Sequence, residues 1–232
     1  MMPVAGLVVT VLLALAWLAG LVLDNTLRSL AEGLFNFLGA WAVWNIATHS
    51  PRPMQRVLSG LALGLVLLGV GDLLYTWGLA GHDTSALREA VYIAGVLLFL
   101  VMGTLLPISM ERQGLYREGF TGRVLLLSVL GGVLLTALSR MIRPLSPVEM
   151  LYAGAAFYLT LIFLQQSQAL AGGRIGRTLQ GVVWALVLGS LARIVTVLVV
   201  ATPPTLHWSV VVYDLLWISA MSVLVWSAGR RS

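Results

Sequence analysis

Eight runs of apolar residues, at 4–23, 30–48, 56–80, 88–109, 123–141, 148–169, 177–200 and 208–228, take up most of this 232-residue chain. Crossing a hydrocarbon core about 30 Å thick takes roughly 20 residues of helix, and each run is about that long. The expected fold is therefore all-α: a polytopic integral membrane protein with about eight transmembrane helices. The separators are short and carry turn chemistry, namely Asp24-Asn25, Ser50-Pro51-Arg52-Pro53, Gly81-His82-Asp83, Pro144 with Pro147, Gly172-Gly173 and Pro203-Pro204. Nothing is left over for a soluble domain. The charged fraction of 10% points the same way, since it is about a quarter in soluble domains. The first run lacks a positive n-region and meets Asp24-Asn25 rather than a small-residue cleavage site, so it reads as a retained helix.

Two of the helices announce their starts. Ser29-Leu-Ala-Glu32 and Ser146-Pro-Val-Glu149 fit the capping box, in which the serine and glutamate side chains satisfy otherwise orphan amide groups, and Pro147 suits a first helical position. Capping accounts for Glu32 and Glu149 without a ligand.

The arginines set the orientation. The face shared by both termini holds Arg52, Arg56, Arg112, Arg117, Arg123, Arg174, Arg177, Arg230 and Arg231, whereas the other holds Arg28, Arg88, Arg140 and Arg143. Both termini are expected in the cytoplasm, in a bacterial cytoplasmic membrane. Most acids collect on the outer face, at Asp24, Glu32, Asp83, Glu89 and Glu149.

A tandem duplication runs through this layout. An offset of 121 matches Arg56 with Arg177, Leu58 with Leu179, Gly60 with Gly181, Leu65 with Leu186, Leu67 with Leu188 and Asp72 with Arg193. Past the next loop an offset of 125 brings His82 to His207, Glu89 to Asp214, Tyr92 to Trp217 and Ile93 to Ile218. The expected domains are a first four-helix repeat at 1–110, a cytoplasmic connecting loop at 111–122 and a second four-helix repeat at 123–232. An even number of helices per repeat gives both halves the same orientation, so equivalent residues lie at equal depth.

Ionisable residues inside spans are costly and face a bundle interior, a cavity or one another. Asp72 belongs to a stripe with Gly69, Tyr75 and Thr76, and Arg193 to one with Ser190 and Thr196, each at helical spacing. Asp72 is 16 residues beyond Arg56. At 1.5 Å each that is about 24 Å, nearer the outer boundary than the midplane. Matched position, equal depth and opposite charge lead us to expect an ion pair, with a ligand or proton site as the sharper alternative. His82 and His207, each seven residues before an acid, are weak candidates for a metal beside Glu89 and Asp214, because seven is not a ligand spacing. Trp41, Trp44 and Asn45, and Gln165, Gln166 and Gln168, read as interfacial anchors and interhelical hydrogen bonders.

Several chemistries are excluded. Without cysteine there is no disulfide or thiolate metal site, and without lysine no retinal-type Schiff base. No phosphate-binding glycine loop, His-Glu-x-x-His or Gly-x-Ser-x-Gly occurs, and no basic-aromatic face suits nucleic acid; the expected cofactor set is empty.

Leu67-Leu-Gly-Val-Gly-Asp72-Leu-Leu-Tyr75, followed by Ser85-Ala-Leu-Arg-Glu89-Ala-Val-Tyr92-Ile-Ala-Gly95, resembles the multi-helix membrane sensor modules that precede diguanylate cyclase, phosphodiesterase and histidine kinase domains in bacteria. Those modules carry a Gly-Asp-leucine helix and then a Ser-x-x-Asp-x-x-Tyr-x-x-Gly helix, with Glu89 here in place of the second Asp. The resemblance is close from Leu67 to Gly95 and loose over the eight-helix layout. It implies a non-enzymatic, sensor-like or ligand-binding module with Asp72, Tyr75, Arg193, Glu89 and Asp214 lining an outward-facing polar cavity. No output domain follows in this sequence, so the implied partner, beyond the lipid bilayer, is a separate signalling output protein. The Gly-Asp signature is also similar to that of lysoplasmalogenase-type membrane hydrolases, where Asp72 would be one of two catalytic acids; the repeat-equivalent position carries Arg193 and no second Asp lies in a comparable span. A small solute transporter is the third reading, although Gly131-Gly132 and Gly172-Gly173 do not break corresponding spans.

The arginine asymmetry makes a direct prediction. Reporter fusions should place both termini and the 111–122 loop in the cytoplasm and the His82 loop outside; an external signal from either terminus overturns that topology.

Overall fold

The computed structural model of the chain describes residues 2–23, 25–114, 120–142, 144, 147–169, 174–199 and 208–229. Among the described residues there are eight helices and no strand: α1 (Met2–Leu23), α2 (Asn25–Thr48), α3 (Arg52–Leu79), α4 (Ser85–Arg112), α5 (Phe120–Ile142), α6 (Pro147–Ala169), α7 (Arg174–Val199) and α8 (Trp208–Gly229). Each expected run is a helix. Five segments are long and apolar enough to cross a membrane: Arg52–Leu79, Ser85–Arg112, Gly122–Met141, Thr178–Val195 and Val211–Gly229. The chain is a helical membrane protein.

Local chemistry explains the helix ends. Pro51 precedes α3 and Pro53 falls in its first turn, where a missing N–H costs no helical bond. At the other end Gly81 takes a φ of 94°, a left-handed conformation that glycine adopts without penalty. The turn is then tied down by the Thr84 hydroxyl, which donates to the Leu74 carbonyl at 2.8 Å. Asp83 Oδ1 accepts from the Ser85 hydroxyl at 2.9 Å and its amide at 3.4 Å. These bonds, the hydroxyl's first, hold the Asp83 carboxyl below the ordinary aspartate range. The stabilisation they give is therefore present above the unfolded-state value and disappears as pH falls through the folded one.

The start of α2 corrects the capping-box expectation. The helix begins at Asn25, so its orphan N-terminal amides lie upstream of Ser29, which is buried inside the helix. Glu32 has no helix start to cap and instead pairs with Arg28, Nε to Oε1 3.0 Å, one turn back. In α6 the helix does begin at Pro147 with Glu149 in its first turn, whereas Ser146 lies outside the described residues.

The chain divides into two compact units, Met1–Met102 with Met221–Ser232, and Gly103–Ala220, so α4 and α8 each contribute to both. In the first, α1 packs on α2 and α2 along α3 around Phe35, Ile46, Met54, Leu58 and Leu61. In the second, α5 packs on α6 and α6 along α7 around Leu106, Ile162, Phe163, Leu179 and Val183. The outward side of α5, with Leu126, Leu130, Val133 and Leu134, is exposed, as befits a surface whose solvent is lipid.

Helices α2 and α3 cross at a pair of glycines. A Cβ on Gly69 would lie 3.1 Å from the Gly33 carbonyl oxygen, and one on Gly33 would lie 3.3 Å from the Gly69 carbonyl oxygen. Backbone cannot give way as a side chain can, so small residues set this approach. Gly69→Val should accordingly cost about 1–3 kcal/mol, as overpacking does. Thermal unfolding in detergent measures it, and a variant as stable as the parent would show that the crossing does not depend on glycine.

Candidate functional site

The close α2–α3 crossing determines what surrounds Asp72. The two helices form an antiparallel hairpin in which each glycine faces the polar residue of the other: a Cβ on Gly33 would lie 3.4 Å from Asp72 Cβ, and one on Gly69 would lie 3.2 Å from Asn36 Cβ, so the glycines let the two polar side chains reach each other across the crossing. Asn36 Nδ2 donates to Asp72 Oδ2 at 2.5 Å. From α4 the Tyr92 hydroxyl donates to Asp72 Oδ1, with the Tyr92 ring seated on Gly71, where a Cβ would come within 2.7 Å of Cε1. Three helices thus meet on one carboxylate, which is 9% exposed. Thr76, one turn along, turns its hydroxyl back to the Asp72 carbonyl at 2.9 Å.

The other first-unit residues predicted from sequence lie between this cluster and the turn that joins α3 to α4, or in that turn. Tyr75 is exposed and its ring carries the Arg88 guanidinium at 5.2 Å from the centroid. Glu89 is exposed on α4, one turn before Tyr92. His82 is exposed in the turn, its ring edge-on to Trp77 with centroids 5.6 Å apart.

Arg193 and Asp214 belong to the second unit. Arg193 is half-buried on α7, its guanidinium carbon 5.4 Å from the Tyr213 ring centroid and 5.2 Å from that of Trp217, both on α8. The two rings stack at 6.2 Å with planes 12° apart. Trp217 rests on Gly189, whose Cβ would lie 3.0 Å from Cζ3. Asp214 is fully buried on α8 between these aromatics in sequence. A cation over desolvated aromatic faces gains about 2 kcal/mol, against about 0.5–1 at an exposed site.

Among the described residues no group of three or more His, Asp and Glu side chains comes together as a metal site, and His207 lies outside them. Sequence reasoning missed Asn36. The available signal was an amide within an apolar helix, flanked by Phe35 and Phe37 and one turn from a glycine. Tyr92 stood in the repeat alignment and in the sensor-like motif, without a role at Asp72.

Chemically, the cluster is a carboxylate with a donor on each oxygen, the arrangement that stabilises a charge in apolar surroundings. No protein-family model, no curated protein and no solved structure matches this chain.

Hydrogen bonds to charged groups contribute about 1.5–3 kcal/mol each, so Tyr92→Phe, which removes one hydroxyl and leaves the ring in place, should lower stability by about that amount. Asn36→Leu should do the same, and both losses should vanish in an Asp72→Asn background. Denaturation of the purified variants in detergent tests this; equal losses with and without the carboxylate would mean that neither side chain supports it.

Proposed function

We propose that this protein is a non-enzymatic, sensor-like ligand-binding module of the bacterial cytoplasmic membrane. Its eight spans form two parallel four-helix repeats, with both termini inside. A small molecule offering a hydrogen-bond donor or a positive charge binds from the outer side at the Asp72 cluster, past Tyr75 and Glu89. Arg193 and Asp214 form the corresponding polar place of the second repeat, and the response passes to a separate signalling output protein.

The observation that carries this reading is Asp72 itself, a buried carboxylate in the C-terminal part of α3 held in place by side chains from two other helices. Buried ionisable groups in spans mark ligand or ion pathways. Repetition has support of its own: α1 on α2 and α2 along α3 in one half correspond to α5 on α6 and α6 along α7 in the other. A hydrolase would need, beside the carboxylate, a second group to stabilise the developing charge. The donors that meet the Asp72 oxygens are Asn36 and Tyr92, an amide and a phenol rather than a second acid.

Native mass spectrometry with small-molecule and lipid extraction, on the parent protein and Asp72→Asn, is the decisive experiment. A bound molecule present in the parent and lost from a folded variant is the expected result. The same complement of molecules in both overturns the assignment of Asp72. Hydrolysis of lysophospholipid or lysoplasmalogen that disappears in Asp72→Asn would replace the sensor with a hydrolase.

A further inference from the structure

Gln166, near the end of α6, is fully buried, and among the described residues neither its Oε1 nor its Nε2 has a hydrogen-bond partner. Its neighbour Gln165 does what an interhelical amide is expected to do, donating to Ser128 on α5 at 3.3 Å. Gln166 points elsewhere, and an amide without partners in an apolar interior is costly enough to require an explanation.

The register between α4 and α6 supplies one. The hydroxyls of Thr104 and Tyr158 are 2.7 Å apart. One residue before Thr104, a Cβ on Gly103 would lie 2.6 Å from Leu159 Cδ2 and 3.1 Å from Phe163 Cζ. Gly103 therefore faces the stripe of α6 formed by Leu159 and Phe163, and Gln166, seven residues past Leu159 and three past Phe163, continues that stripe. Helical side chains lean towards the N-terminus, which returns the Gln166 carboxamide to the turn of Phe163. On α4, residue 107 is a proline inside the helix. Without an N–H it leaves the Gly103 carbonyl short of its i+4 donor. That carbonyl points along α4 towards residue 107. In the proposed eight-span arrangement α4 and α6 run in the same direction, so the carbonyl, which points onward from Gly103, and the carboxamide, which leans back from Gln166, approach the same level. Of the buried side chains within a turn of residue 107 or of Gln166, Leu106, Met110, Ile162 and Phe163 are apolar, and the Ser109 hydroxyl accepts from Gln113 Nε2 at 3.5 Å.

We propose that a buried water molecule is bound in the second unit between the carboxamide of Gln166 and the backbone carbonyl of Gly103. Water is the ligand these groups select: small enough for a fully enclosed place, neutral, and able both to donate to two oxygens and to accept from Nε2. Carbonyls freed by proline in spanning helices are restored in this way by side chains and ordered water. The site joins α4 to α6 one turn beyond the Thr104–Tyr158 contact.

The test is density maps that resolve ordered water for the parent, Gln166→Met and Pro107→Ala, with a double-mutant cycle on melting temperature. Methionine keeps the unbranched shape, and alanine returns the N–H to residue 107, so both variants retain a helical core. Expected is a peak about 2.6–3.2 Å from both Gln166 and the Gly103 oxygen in the parent, absent from each variant. Non-additive shifts in the cycle should accompany it. A direct hydrogen bond from Gln166 to a protein atom without such a peak, a peak unchanged in Pro107→Ala, or additive shifts would each overturn the proposal.

Discussion

A carboxylate placed inside an apolar helix must be given donors by its neighbours, and at Asp72 that requirement governs how α2, α3 and α4 meet. Insertion of one such charge at a helix centre costs about 2.5–3.5 kcal/mol. Two charge-assisted hydrogen bonds at about 1.5–3 kcal/mol each cover that cost. They can form only if the backbones come close. Gly33 and Gly69 permit the α2–α3 approach that delivers Asn36, and Gly71 leaves room for the ring that delivers the Tyr92 hydroxyl. The glycines and the acid are thus parts of one device.

Arginine solves the same problem differently in the second unit. A guanidinium has five donors and no acceptor, and its flat, weakly hydrated face is attracted to aromatic rings. Arg193 has Tyr213 and Trp217 for that purpose, with Trp217 brought in by Gly189. Under the proposed duplication, the aromatic at the matched position changes with the sign of the charge. A phenol that can donate, Tyr92, meets the acid, and an indole that offers a π-face, Trp217, meets the base.

The helices were readable because length and hydropathy alone decide them in lipid, and the boundaries because Pro51, Pro53 and Gly81 act locally. Partners across helices were not. Ser29 and Glu32 satisfy a capping pattern, yet whether they cap depends on where α2 starts, and Asn25 starts it a turn earlier. Asn36 and Gln166 are single amides whose meaning lies in the azimuth of the facing helix, which spacing along one helix does not contain. Gln165 and Gln166 are adjacent and chemically identical, and only the packing distinguishes an amide bonded to Ser128 from one enclosed without a partner among the described residues.

Continuity of α4 matters for the proposed ligand-binding role. Tyr92 and Pro107 lie on one uninterrupted helix, Ser85–Arg112. A ligand that competes for the Asp72 oxygens must displace the Tyr92 hydroxyl, and it shifts the protein between states only by as much as it binds one better than the other. The displaced element is then α4 itself. Its weakest point along the axis is Pro107, where one backbone bond is missing and bending is cheapest. A water bridging the Gly103 carbonyl to Gln166 would allow that bend without stranding the carbonyl in either state, since a water-mediated bond adapts its length and angle more readily than a direct one. Under the proposed sensing role, the Asp72 contact near the start of α4 and the proline near its end are the two places through which a bound ligand would act on this helix.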